Sequence, residues 1–198
     1  MESIVQVLES VMSARDPYTV THQRRVAQLS STIAREMGLE EKQTRNLMMA
    51  ARLHDFGKIS VPISILSKSG KLSVPEMSMI KSHPSTGCDM LKPLRLPTGI
   101  FLTIMQHHER INGSGYPFGL AGEDILLEAK ILGVADVVEA MASHRPYRPS
   151  LGIEMALKEI SQHRGILYDP SVVDALGRLK SKNMFGNFSA VNVFREAA

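Results

Sequence analysis

Apolar residues recur along this chain at spacings of three and four, the repeat of an α-helix that buries one face. Ile4, Val7, Leu8 and Val11 predict an amphipathic helix over the first dozen residues with these four as its apolar stripe. Val26, Leu29, Ile33 and Met37 predict a second over about 18–37, closed by Gly38 where a left-handed cap is expected. A third, over about 40–54, carries Leu47, Met48, Ala51 and Leu53. Ser73 and Glu76 form a capping-box pattern with Pro75 tolerated in the first turn, so another helix starts there. It should end near His83-Pro84, because a residue before proline is pushed away from helical angles. Further helices are expected over about 98–109, 124–142 and 153–163, and a last one opened by Asp169 as cap and Pro170 as first residue. Residues 112–117 and 145–149 are too rich in turn formers to be helical. Ile59-Ser60-Val61 admits at most a minor strand, and 188–194 is compatible with strand, helix or coil. The pattern predicts a single all-α domain.

Composition supports that reading. With 198 residues, 43% of them hydrophobic and 22% charged, the chain is long enough for a buried core and unlike a disordered one. The one cysteine, Cys88, excludes an intrachain disulfide and fits a reducing compartment. The first residues lack the basic and apolar regions of a secretory signal, and no apolar run approaches the roughly 20 residues that span a bilayer. A cytoplasmic setting without membrane contact is expected. The net charge of +3 is spread without a Lys/Arg run, which argues against a long nucleic acid and leaves room for a small anionic ligand.

The candidate chemistry lies in histidines and acids. Five of the seven histidines are the candidates: His22, His83, and three that sit beside an acid or another histidine, namely His54 before Asp55 and the pair His107-His108 before Glu109. Asp136 lies within the apolar stretch 132–138, where a carboxylate is costly unless paired or metal-bound. Neighbouring helical residues point about 100° apart, so His-Asp or His-His at a helix end can address two ions or two sides of one. Imidazole and carboxylate donors suit Fe, Mn, Co, Ni or Zn, and the absence of thiolates disfavours a zinc finger. Taken singly, His22 fits an ordinary surface or core histidine, and Asp136 a buried acid paired to arginine. Their joint occurrence with the Gly57-Lys58 that follows the His-Asp pair favours a metal site.

The ordered set of motifs resembles the HD-GYP domains of the HD phosphohydrolase superfamily over roughly 15–173. The matching residues are Arg15-Asp16-Pro17-Tyr18-Thr19 with His22, His54-Asp55-Phe56-Gly57-Lys58, His83, His107-His108-Glu109, Gly115-Tyr116-Pro117, Ala135-Asp136 and Arg145-Pro146-Tyr147-Arg148. The resemblance implies a helical bundle of the HD type over 15–182, preceded by a helix over 1–14 that can be the end of a linker and followed by a tail over 183–198. It implies a metal-dependent phosphodiesterase acting on cyclic di-GMP in bacterial signalling, giving the linear dinucleotide and, on further cleavage, GMP. His22, His54, Asp55 and Asp136 would hold one divalent transition metal, iron or manganese foremost. His83, His107 and His108 would hold a second, with Asp55 bridging. Some members add a third metal through a glutamate four residues before the first histidine; Tyr18 stands there, so two metals are expected.

Within the same resemblance Asp55 and Lys58 are the catalytic candidates. Lys58, Tyr116, Arg145 and Arg148 are candidates for substrate binding, and Gly113, Gly115, Tyr116 and Pro117 shape the loop. Two departures stand out: Asn112 replaces an aspartate at the head of that loop, and Lys130 an arginine. Losing a carboxylate can weaken the support of a metal ligand, and lysine cannot reproduce a bidentate fork. The rival readings are a weakly catalytic module that binds a cyclic dinucleotide or docks a GGDEF-type cyclase domain, and a generic HD phosphohydrolase. A homodimer is left open.

Overall fold

The computed structural model describes residues 2–144 and 149–185. Ten α-helices are described: α1 (Glu2–Arg15), α2 (Pro17–Glu36), α3 (Glu41–Leu53), α4 (Ile63–Leu66), α5 (Val74–Lys81), α6 (His83–Leu91), α7 (Thr98–Gln106), α8 (Leu127–Ala142), α9 (Ile153–Gln162) and α10 (Pro170–Ser181). Among the described residues, β pairing is confined to two isolated bridges, Asn112–Ala121 and Arg164–Tyr168. The all-α expectation holds, and among the described residues no helix is long and apolar enough to cross a membrane.

Helix starts follow local chemistry. Asp16 caps α2 by accepting from the backbone N–H groups of Tyr18 and Thr19, with Pro17 at the first position. Ser73 and Glu76 form the reciprocal capping box of α5, and Asp169 caps α10 ahead of Pro170. Gly38 takes φ +77 after α2, the left-handed conformation that ends the helix.

Four local expectations change. His83-Pro84 does end α5, but α6 begins at once with Pro84 in its first turn, where a missing N–H has no helical partner to lose. Residues Phe56–Ser60 form a 3-10 turn instead of a strand, and Gly122–Asp124 form another ahead of α8. The helix expected to reach Glu109 stops at Gln106, with His107 as its cap. On α1 three of the four predicted stripe residues face outward, Ile4, Val7 and Val11 being 43%, 61% and 49% exposed, while Leu8 packs against the core. Val5 and Met12 pack inward beside Glu9, whose carboxylate takes hydrogen bonds from Arg24 and Arg52. The ion cluster, not hydrophobicity alone, sets the face.

Two apolar cores meet along α3. One joins Leu47 and Ala51 to Ile33 of α2, Leu132 of α8, Ile160 of α9 and Leu176 of α10. The other joins Ala50 and Leu53 to Val5 of α1, Leu91 of α6 and Ile104 of α7. Helix α2 packs along both α3 and α8, and α6 lies on the 3-10 turn after α3. The ends of α3 and α7 and the start of α6 therefore converge on the middle of α2 and α8.

Candidate metal centre

Each of the seven residues predicted to bind metal reaches this convergence. His22 comes from α2, His54 and Asp55 from the end of α3, and His83 from the first residue of α6. His107 and His108 come from the end of α7, and Asp136 from α8. The carboxylate of Asp55 spans the arrangement. Its Oδ2 lies 3.5 Å from His54 Nε2 and 3.8 Å from His22 Nε2, while its Oδ1 lies 3.3 Å from His83 Nε2. Asp136 Oδ1 is 3.1 Å from His22 Nε2 and 4.0 Å from His54 Nε2. Donor atoms of His22, His54 and Asp136 form one compact group, those of His83, His107 and His108 another, and His54, Asp55 and His107 a third that joins the two.

One device orients three of the imidazoles. Nδ1 of His54, His83 and His107 bonds to the backbone carbonyl three residues earlier, at 2.7, 2.7 and 2.6 Å. A carbonyl oxygen only accepts, so Nδ1 carries the proton and Nε2 presents a bare lone pair. The Nε2 atoms of His83 and His107 then face each other at 3.4 Å with no proton between them. His54 Nε2 and Asp55 Oδ1 are buried with no hydrogen-bond partner. Groups of this kind are costly to bury unless something satisfies them. Nitrogen and oxygen donors converging without thiolate fit divalent transition metals.

Electrostatics agree with the geometry. Burial pushes the imidazoles of His54, His107 and His108 below their ordinary value and that of His83 to about 4, so all four are neutral ligands at pH 7. For Asp55 burial opposes the charge, but Lys58 and the surrounding histidines outweigh it and hold the carboxyl well below its usual range. Asp136 is held low in the same sense, against burial, by His22 above all. His22 is the exception: burial disfavours its charge, yet Asp136 and Glu139 raise it to about 9. A positive charge is thus favoured at its Nε2, and a metal ion there displaces the proton.

The glycines of both motifs make the approach possible. A β-carbon on Gly57 would meet the His83 carbonyl oxygen at 2.0 Å, and one on Gly115 the α-carbon of Glu109 at 2.4 Å. Gly113 (φ +78) and a cis Tyr116-Pro117 bond shape the loop. Its anchor is Glu109, whose two oxygens accept from the N–H groups of Phe118 and Leu120 at 2.8 and 3.0 Å. Asn112 at its head accepts from the Ser114 N–H and hydroxyl, so the missing aspartate does not leave that turn unbonded. The Tyr116 ring stacks on His108 with centroids 4.6 Å apart, committing one face to a predicted ligand. Lys130 pairs with Asp169 at 3.2 Å, fastening α8 to the cap of α10.

A cavity of about 400 Å³ opens beside this cluster, lined by Arg15, Tyr18, Thr19, Lys58, Ile63 and Leu66 and reaching His22 and Asp55. Lys58 lines it while its Nζ lies 2.7 Å from Asp55 Oδ2. Tyr18 donates its hydroxyl proton to the carbonyl of His144. Arg145 and Arg148 lie outside the described residues. Site features beyond the expected set are Glu139, which bonds His22, the Glu109 anchor, and the Arg15, Ile63 and Leu66 walls. Glu139 had one legible signal, an acid three residues after Asp136 in an apolar helix. The walls had none, because they meet only in three dimensions.

A buried cluster of imidazoles and carboxylates at the junction of helices, with Asp55 at its centre, has the donor set of a divalent-metal site in a helical protein. The sequence profile of the HD domain family matches residues 6–172, and the chain belongs to that family, as the HD-GYP resemblance implied. It is 40% identical over 190 residues to the cyclic di-GMP phosphodiesterase response regulator RpfG of Xanthomonas campestris, covering 93% of this chain and 50% of that protein. It is 34% identical over 176 residues to the 3'3'-cGAMP-specific phosphodiesterase 3 of Vibrio cholerae, covering 89% of this chain and 38% of that protein. The chain thus spans half or less of these relatives' lengths. Among solved structures, Bd1817, an HDG"Y"P protein from Bdellovibrio bacteriovorus, shares the fold with a TM-score of 0.68 at 23% identity, over 91% of this chain and 59% of that one.

Proposed function

We propose that this domain is a metal-dependent phosphodiesterase that opens cyclic di-GMP to the linear dinucleotide and, on further cleavage, to GMP, in bacterial second-messenger signalling. His22, His54, Asp55 and Asp136 hold one divalent ion and His83, His107 and His108 a second, with Asp55 shared. Iron or manganese is the expected occupant; cobalt, nickel and zinc suit the same donors. The observation that carries this reading is Asp55 itself, one carboxylate whose Oδ2 faces His54 and His22 and whose Oδ1 faces His83.

Two divalent ions supply Lewis acidity, lowering the pKa of water towards neutrality and screening charge on a phosphate. The chain's own residues do the rest. The carbonyl-bound histidines keep their lone pairs aimed inward, and Lys58 offers an ammonium at the cavity wall beside Asp55. Arg15 adds a second cation to that wall, while Ile63 and Leu66 give it an apolar side suited to a base. Arg145 and Arg148, which follow α8 in sequence, are assigned to a phosphate or guanine edge through their planar donors. Tyr116 supports His108 by stacking on it, and the Lys81 ammonium stands over the same ring, 5.2 Å from its centroid. A cyclic dinucleotide is the substrate named for both relatives; the symmetric guanine compound follows the more similar one. Docking of a GGDEF-type cyclase domain through the Gly115-Tyr116-Pro117 loop follows from the motif.

The test is alanine replacement of His54 and Asp55 in metal-loaded protein, assayed on cyclic di-GMP alongside the mixed guanine-adenine compound. Loss of hydrolysis is expected; undiminished turnover by both variants contradicts the proposal.

A further inference from the structure

One imidazole of the cluster is oriented by a different kind of partner from three of the others. His54, His83 and His107 each give their Nδ1 proton to a neutral backbone carbonyl. His22 Nδ1 instead meets a carboxylate, Glu139 Oε2, at 2.5 Å. Glu139 has no exposed surface. Its other oxygen accepts from the Ser143 hydroxyl at 2.6 Å and from Arg25 at 3.4 Å, and Arg25 also reaches the Ser143 hydroxyl at 3.1 Å.

The spacing explains how this circuit arises. Asp136 and Glu139 are three residues apart on α8, so ligand and support lie on one face. Tyr18, His22 and Arg25 form a stripe on α2 at spacings of four and three, and each meets the end of α8: the His144 carbonyl, Glu139, and Ser143 with Glu139. The helix pair is fastened around His22, and the His144 carbonyl is its last link before the chain runs on to Arg145.

Resting on the two-metal reading, we propose that Glu139 is a positioning residue for one metal only. It fixes the His22 ring with Nε2 towards Asp136, raises the ring's basicity as a ligand, and makes the His22–Asp136 half the tighter site. The charges point the same way. That half holds Asp136 and the shared Asp55 as donors with Glu139 behind them, Lys58 pairing with Asp55 at 2.7 Å and Arg25 with Glu139 at 3.4 Å, whereas the other half has three neutral imidazoles and the shared carboxylate. A more anionic donor set binds a divalent cation more strongly, and a carboxylate behind a ligating histidine is worth roughly 10- to 100-fold in metal affinity. The ions therefore load in sequence, the His22 half first.

The experiment is metal retention by the whole chain, read by elemental analysis and chelator competition for wild type, Glu139→Ala and Glu139→Gln. Circular dichroism checks the fold. No substrate is involved, so the result is independent of whether cyclic di-GMP is cleaved. Wild type should release its two ions in two phases. In E139A the slower phase should weaken about 10- to 100-fold while the faster one stays unchanged. E139Q should fall between, because an amide oxygen still accepts the Nδ1 proton but carries no charge. If E139A does not fold, E139Q decides alone by the same selective weakening. Two equal phases in wild type, unchanged retention in a folded variant, or equal loss from both sites overturns the proposal.

Discussion

A β-carbon placed on Gly57 would stand 2.0 Å from the carbonyl oxygen of His83 and 2.6 Å from the backbone nitrogen of Gly87. The 3-10 turn that follows Asp55 is thus pressed directly onto the first turn of α6. This contact sets the 3.3 Å approach of Asp55 to His83. No flexible side chain can move aside, since the obstructing atoms are backbone.

Gly57→Ala should therefore force the turn and α6 apart. Overpacking of this kind costs about 1–3 kcal/mol, and the His83 half should lose its ion first. Thermal melting and elemental analysis check both effects. An unchanged melting temperature with two ions retained would show that the contact is dispensable.

In the proposed mechanism Lys58 acts on substrate without holding metal. Its ammonium lies 2.7 Å from Asp55 Oδ2 and is partly open to the cavity. Lys58→Ala should leave metal content intact and lower kcat by about 10²-fold, the cost of losing one preorganised donor to developing charge. Lys58→Arg should recover part of that loss. An alanine variant with full turnover would reduce Lys58 to a partner of the Asp55 carboxylate.

Away from the site, Glu9 locks α1 to the bundle through Arg52 and Arg24. Burial alone would raise its carboxyl, but the two arginines outweigh it and hold it below the ordinary 4.5. A carboxyl whose folded value is depressed stabilises the protein above its unfolded pKa, and that stability is lost as pH falls through the folded value. Glu9→Gln should cost about 1–3 kcal/mol near neutrality. The gap to wild type should stay level down to about pH 5 and shrink below about 4.5. A gap that is constant or widens in acid contradicts this role.

The helical class was legible because it follows from local chemistry, and the candidate donors, which the structure brings together, were picked out by the ordered motifs of the HD-GYP resemblance. A 3.6-residue repeat marks helices, and His-Asp and His-His pairs at predicted helix ends mark donors. The face of α1 was not legible, since exposed Ile4, Val7 and Val11 fit a helical repeat as well as Val5, Leu8 and Met12, which pack, while buried Glu9 depends on arginines from α2 and α3. The start of α6 was missed because Pro84 ends one helix and fits the first turn of the next. Glu109 read as an acid following two histidines, and only the folded loop reveals the two backbone N–H groups it accepts from. Arg15, Ile63 and Leu66 become a cavity wall only when α1, α2 and α4 meet.

The central claim is a pair of metal sites sharing Asp55 that together cleave a cyclic dinucleotide. Metal-free protein should be titrated anaerobically with iron(II) or manganese(II) while cyclic di-GMP hydrolysis is followed. Little turnover should accompany the first equivalent, and turnover should rise steeply through the second and then level off. Full activity after one equivalent, or none after two, would contradict the account.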